Sequence, residues 1–181
     1  MIKQTAAPRF LPQTKGMSRF WWDEITVPLG TSKLEVLLIS DGDALTGLWF
    51  GDSHPGTPNG SQGLVRDRTP VADAAEQLAA YAEGDLTEFD LALRPAGSDF
   101  QRAVWERLLE IPYGITTTYG RVAADIARPK GSRAVGAAVG SNPISIMIPC
   151  HRVIGANGSL TGYGGGLHNK VALLKLEGIS L

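Results

Sequence analysis

Cys150 is the one cysteine of the chain, and it lies in the run Ile148-Pro149-Cys150-His151-Arg152-Val153. A thiol is a strong nucleophile only as its thiolate, and a free cysteine titrates near pH ~8.5. A base must therefore take its proton, and imidazole suits that task near neutral pH. His151 follows directly. The proline before the pair and the β-branched residue after it predict a stiff, extended segment that presents thiol and imidazole together. A lone cysteine also serves as a small buried apolar residue, so the elements around the pair decide between the two readings.

Those elements begin with a polar, proline-bearing stretch over residues 1–18, expected to be a flexible extension. Strand patterns follow over residues 22–27, 34–39 and 44–50, with Asp41-Gly42-Asp43 as a hairpin-like turn. Residues 51–63 are rich in Gly and Pro and read as a loop. Residues 70–83 predict an amphipathic helix, with Val71, Ala75, Leu78 and Ala82 on one face and Gly84 as its stop. Residues 89–93 predict a last strand. Arg94-Pro95-Ala96-Gly97 marks a boundary between an acidic, strand-rich part (19–95) and a basic, helical part (96–181).

The second part opens on a capping box, Ser98 to Gln101. Its helix turns Phe100, Val104, Trp105, Leu108 and Ile111 inward and ends at Pro112-Tyr113-Gly114. Thr118 is expected to cap a helix over 119–127, and Ser132 one over 133–140. Helix, short turn, helix is the layout of a helix-turn-helix. The second of these helices carries mostly small side chains behind Arg133, which suits either close approach to a surface or tight core packing. Asn142-Pro143 breaks it, and residues 144–149 lead to Cys150. Gly162-Tyr163-Gly164-Gly165-Gly166 lacks the Lys-Ser/Thr of a phosphate-binding loop and fits the backbone-lined wall of a pocket. A final helix spans 168–177 and packs Val171, Leu173 and Leu174.

Composition sets bounds on this reading. The chain has 181 residues, 43% of them hydrophobic, and a net charge of −1. No apolar run approaches the ~20 residues that span a bilayer, and residues 1–17 lack a signal-peptide core, so a cytoplasmic protein with no membrane partner is expected. One cysteine excludes an intrachain disulfide and a cysteine-rich zinc site. The small net charge hides a split. Residues 1–95 hold 8 basic and 13 acidic side chains, and residues 96–181 hold 9 and 5. The excess gathers at Arg121, Arg128, Lys130, Arg133 and Arg152, opposed by Asp125, which fits either a polyanion partner or a solvated face.

With these residues in view, 97–178 resembles the O6-alkylguanine-DNA alkyltransferases. The resemblance rests on Pro149-Cys150-His151-Arg152-Val153, Tyr119-Gly120, Arg133-Ala134-Val135-Gly136, Asn142-Pro143, Gly162-Tyr163 and Glu177, in the family's order and spacing. Residues 19–95 resemble its small ribonuclease-H-like domain less specifically. The implied fold class is α/β (α+β): that small domain plus a helical, winged helix-turn-helix-like domain carrying the active site. The implied activity is irreversible, single-turnover transfer of an alkyl group from O6-alkylguanine in double-stranded DNA, and from O4-alkylthymine, to the protein's own cysteine. It needs no cofactor, methyl donor or metal. The free protein is expected to be a monomer, with cooperative assembly on DNA open.

The resemblance implies roles residue by residue. Cys150 accepts the alkyl group, and His151 takes its proton through a water. Glu177 holds the other imidazole nitrogen, and Asn142 ties the turn before the cysteine. Tyr119 supplies a proton near N3 of the base. Arg133 fills the space left by a flipped nucleotide, with Ala134, Gly136 and Gly120 on the DNA-facing elements and Arg121, Arg128 and Lys130 at phosphates. Val139, Val153, Tyr163 and Gly164 form the pocket.

Three other readings are distinguishable. A cysteine hydrolase would need oxyanion donors and would turn over a generic ester. A non-catalytic damage-binding protein would not use Cys150. A DNA-binding regulator would keep every activity without it.

Overall fold

Residues 7–13, 19–30, 32–51 and 64–180 are described by the computed structural model. The chain is mixed α/β and divides into two units, Met1–Ala96 and Gly97–Leu181.

The first unit is built on a six-stranded sheet. β2 (Phe20–Leu29), β3 (Ser32–Ser40) and β4 (Leu45–Phe50) form the antiparallel meander expected from their alternation. Two-residue β1 (Arg9–Phe10), three-residue β5 (Leu64–Arg66) and two-residue β6 (Ala92–Leu93) complete the order β1-β6-β4-β3-β2-β5. Leu34, Val36, Leu37 and Leu38 of β3 are buried. Helix α1 (Ala72–Glu83) buries Ala74, Ala75, Leu78, Tyr81 and Ala82 and ends at Gly84, whose φ of 84° is open to glycine at little cost. Val71 belongs to a short 3-10 turn, Thr69–Val71, that precedes the helix.

Two expectations are corrected here. The stretch 1–18 is not wholly a flexible extension, because β1 pairs in parallel with β6. Arg94 Nε donates to Pro12 O at 2.8 Å and Gln13 Nε2 donates to Pro95 O at 2.9 Å, which ties the strand's exit down. The strand expected over 89–93 is shorter, because the Gln77 side chain takes both backbone groups of Asp90 (2.7 and 3.0 Å) in place of a neighbouring strand. β5 was not foreseen; its three residues are too few to show a period. Of the expected loop over 51–63, residues 52–63 lie outside the described residues.

The second unit opens with α2 (Asp99–Leu109). Its capping box forms as expected: Gln101 N donates to Ser98 Oγ and Ser98 N donates to Gln101 Oε1. Ser98→Ala is expected to lower stability by about 1 kcal/mol, read as a lower urea midpoint at unchanged slope. Val104, Trp105, Leu108 and Ile111 are buried, while Phe100 is half-buried. Trp105 Nε1 donates to Ala138 O at 2.8 Å and so fixes α2 against the next helix pair.

That pair is α3 (Tyr119–Asp125) and α4 (Ser132–Gly140). Thr118 caps α3 through its side chain, as expected. The helix stops two residues early, where Ala127 adopts φ 57°. Ser132 does not cap α4: it is the first helical residue, and Gly131 occupies the cap position with no side chain to offer. Val135, Ala138 and Val139 are buried, whereas Arg133, Ala134, Ala137, Gly140 and Ser141 are exposed. The small residues of α4 thus serve both readings, packing one face and leaving a shallow outer one. Strands β7 (Thr117–Thr118) and β8 (Val153–Ile154) pair in parallel, and α5 (Leu167–Leu176) closes the chain.

Candidate active site

The approach to Cys150 is a buried turn. Residues 144–150 are all buried, with Ile148 N donating to Ile144 O (3.0 Å) and Met147 N to Ser145 O (2.8 Å). Ile146 sits at φ 68°, a costly conformation for a β-branched residue. The run from Cys150 to Arg152 is not the extended segment expected. It is one turn of 3-10 helix, closed by Arg152 N on Pro149 O (3.0 Å), and the chain extends only from Val153. β8 then pairs Val153 with Thr117 and Ile154 with Thr118. This register sets the start of α3, and Tyr119 with it, beside the cysteine turn.

Cys150 is 5% exposed. Asn142 reaches into the turn from the end of α4: Nδ2 donates to Ile148 O at 2.9 Å and to Cys150 Sγ at 3.1 Å, and Oδ1 accepts from Ile144 N at 3.0 Å. Burial pushes the thiol's pKa up. The Asn142 amide, the Lys170 charge, Cys150's own backbone N–H and the Ser145 hydroxyl pull the other way without cancelling it. At neutral pH the group rests as a thiol and needs a base.

His151 is fully buried, and its Nε2 lies 2.8 Å from Glu177 Oε1. Burial raises the Glu177 carboxyl, but hydrogen bonds from His151 and Arg152 and their charges outweigh it and hold the group at about 2. An ionised carboxylate only accepts, so Nε2 carries the hydrogen and Nδ1 is the basic nitrogen of the neutral ring. Burial lowers the His151 pKa against the pull of Glu177, which keeps the imidazole neutral and able to accept.

Glu177 is a hub rather than an exposed helix-end acid. Arg152 donates from Nε to both carboxylate oxygens (3.1 and 3.0 Å) and from Nη2 to Oε1 (2.8 Å), and Gly114 N donates to Oε2 (3.1 Å). Gly114 has φ 74°, and a Cβ there would stand 3.1 Å from Glu177 O. Arg152 Nη1 also donates to Ile111 O at 2.6 Å. Arg152 is therefore 7% exposed and internally paired, which removes it from the basic surface to which its charge had assigned it.

Tyr119 is half-buried over Gly136, where a Cβ would stand 3.7 Å from its ring, and its hydroxyl lies 2.6 Å from Thr161 Oγ1. Val139 (6% exposed) and Val153 are buried, Tyr163 is half-buried, and Gly164 is exposed near Gly140 O. Arg128, Lys130, Arg133, Ala134 and Gly120 are exposed; Arg121 is exposed and paired with Asp125 at 3.0 Å.

A model of the 6-O-methylguanine DNA methyltransferase DNA-binding domain matches residues 99–179. A methylated-DNA–protein-cysteine methyltransferase of Mycobacterium leprae is 47% identical over 143 residues, covering 78% of this chain and 85% of that one. The chain belongs to the methylated-DNA–protein-cysteine methyltransferases. A relative of the same name from Methanosarcina acetivorans is 59% identical over 106 residues, 59% of this chain and 68% of its own. The crystal structure of Mycobacterium tuberculosis OGT in complex with DNA superposes with a TM-score of 0.78 at 46% identity, covering 87% of this chain and 92% of that one.

Within this family member, sequence reasoning missed Thr161, Lys170, Gly114 and the internal role of Arg152. A signal for two of the site's charges was present. Lys170, Leu173, Leu174 and Glu177 recur at helical spacing, so a lysine sits on the apolar stripe of α5 and a glutamate continues it at the helix's C-cap. Among the described residues, no group of three or more His, Cys, Asp or Glu is placed to hold a metal, and no helix is long and apolar enough to cross a membrane.

Proposed function

We propose that this protein repairs DNA by moving the alkyl group of O6-alkylguanine onto Cys150 Sγ, once per molecule. The observation that carries the reading is the buried thiol with Asn142 on its sulfur, next in the chain to a neutral His151 backed by ionised Glu177. A buried sulfur cannot be reached by a base inside a duplex, so the nucleotide must leave the stack, at a cost of a few kcal/mol that is least for a damaged base. Arg133, exposed at the start of α4, fills the vacated space. The shallow face of Ala134, Ala137 and Gly140 admits the backbone closely, with Gly136 half-buried behind it, and Gly120 serves the same approach on α3. Arg128 and Lys130 meet phosphates, which position without specifying sequence. Arg121 does so less strongly because Asp125 shares its charge. The helix pair of a winged helix-turn-helix-like domain over 96–181 serves as the docking element, and 19–95 is the small ribonuclease-H-like domain.

In the pocket of Val139, Val153, Tyr163 and Gly164, the sulfur attacks the alkyl carbon. The S–C bond forms as the C–O6 bond breaks, and that bond's electron pair stays on the guanine. His151 accepts the thiol proton at Nδ1, through a water. Tyr119 shares a proton at N3 while charge builds, which makes the base a better leaving group. The proton lost by the thiol balances the one guanine regains, so neither cofactor nor metal enters. O4-alkylthymine presents the same alkyl ether and is a second substrate. The free protein is a monomer that binds double-stranded DNA.

Peptide mass spectrometry after mixing with a duplex bearing one O6-methylguanine tests this. One methyl per molecule on the Cys150 peptide, absent in Cys150→Ala, is the expected result. Tight lesion binding without a mass gain would make the protein a damage sensor instead.

A further inference from the structure

Tyr119 and Thr161 come from distant parts of the second unit, yet their hydroxyl oxygens lie 2.6 Å apart. An exposed hydroxyl pair gains little in water, but here both partners are held before they meet. Tyr119 is the first residue of α3, set by the β7–β8 register and seated on Gly136. Thr161 is exposed, but its backbone is braced from inside. Lys170, 1% exposed, donates from Nζ to Val153 O at 2.7 Å and reaches Thr161 O at 3.5 Å. One buried ammonium thus bridges the strand that follows the cysteine turn and the loop that carries Thr161. A buried ammonium is costly unless its hydrogen bonds are met. Burial lowers the Lys170 pKa, and the Cys150 thiolate opposes that shift when it forms.

We propose that Thr161 is a positioning residue of alkyl transfer: it fixes the Tyr119 hydroxyl where it meets the flipped base, with Lys170 bracing the Thr161 backbone. The inference rests on the role proposed above for Tyr119. A threonine hydroxyl that donates to the phenol oxygen leaves the phenol hydrogen directed at the base. As that proton is shared with N3, negative charge grows on the phenol oxygen, and the Thr161 hydrogen bond strengthens with it. No group is consumed; the proton moves between the Tyr119 oxygen and N3.

The test compares single-turnover methyl-transfer rates. Thr161→Val keeps the branched shape and removes the hydroxyl; it is expected to slow transfer about tenfold, the effect of one hydrogen bond. Thr161→Ser is expected to restore the rate. Lesion-duplex affinity, measured with Cys150→Ala present, is expected to stay within about twofold of the parent. In a Tyr119→Phe background, Thr161→Val should cost nothing further, because the partner it serves is gone. A Thr161→Val protein at the parental rate, with Tyr119→Phe slow, overturns the inference and leaves the Tyr119 role standing. An equal loss in both backgrounds overturns it too, since the effect would then be on the loop alone. Tyr119→Phe at the parental rate overturns the Tyr119 role itself.

Discussion

Glu177→Gln is expected to slow methyl transfer by about 10²- to 10⁴-fold, the range that general-base assistance supplies. The change is nearly isosteric, but it reverses the logic of the hub. Glu177 faces donors on every side: His151 Nε2, Arg152 Nε and Nη2, and Gly114 N. A carboxamide turns its own N–H groups toward one of them. His151 loses the anion that sets its tautomer and strengthens it as a base. Arg152 becomes a buried charge without its counter-charge, which costs about 3–5 kcal/mol. Loss of activity could thus follow from loss of folded protein, and the pH dependence of the rate separates the two. Burial holds the Cys150 thiol above its ordinary value, so spontaneous thiolate grows about tenfold per pH unit across the neutral range. A variant lacking its base should follow that slope, while the parent rises less steeply. A pH profile parallel to the parent's at lower amplitude would mean that Glu177 holds the fold and does not serve the base.

The chemistry was legible in this chain to the extent that it lay close in sequence. Cys150 and His151 are adjacent, the Ser98–Gln101 box is local, and the meander over 20–50 follows a two-residue period. Each is written within a short window, and the capping box and the meander form as written. The misreadings concern partners that only the fold brings together. Arg152 looks like surface charge until Glu177, 25 residues on, is folded against it. Thr161 reads as an ordinary loop residue until Tyr119 arrives from the other side of the cysteine turn. The segment around Cys150 was expected to be extended because proline and β-branched residues favour that state; a turn wins because Arg152 must double back to reach Glu177 and Ile111. Arg9–Phe10 reads as part of a tail because two residues of strand carry no period, yet Arg94 and Gln13 hold the segment in place.

Acid is expected to destabilise the second unit in two steps, one from Glu177 and one from His151. The Glu177 carboxyl ordinarily titrates at 4.5 and is held at about 2 in the folded protein. The folded state therefore binds fewer protons than the unfolded chain in that interval. The corresponding stability, about 3 kcal/mol for a shift of this size, is present in full above the ordinary value and is lost as pH falls through the folded one. His151 begins the decline earlier. Its pKa is lowered from 6.5 by burial, so below that pH the unfolded chain takes up a proton that the folded ring resists. Both groups share one sign, and the Arg152 guanidinium keeps its charge throughout. Urea unfolding followed from roughly pH 7.5 down to roughly pH 3 should show midpoints that sag below about 6.5 and fall more steeply below about 4.5. Glu177→Gln starts lower, because Arg152 has lost its counter-charge, but should be the flatter of the two at the acid end, since it has no carboxyl left to protonate. Equal acid slopes in the two proteins would mean that His151 and Arg152 do not hold the Glu177 proton off, and the hub would lose its claim to keep His151 poised as a base.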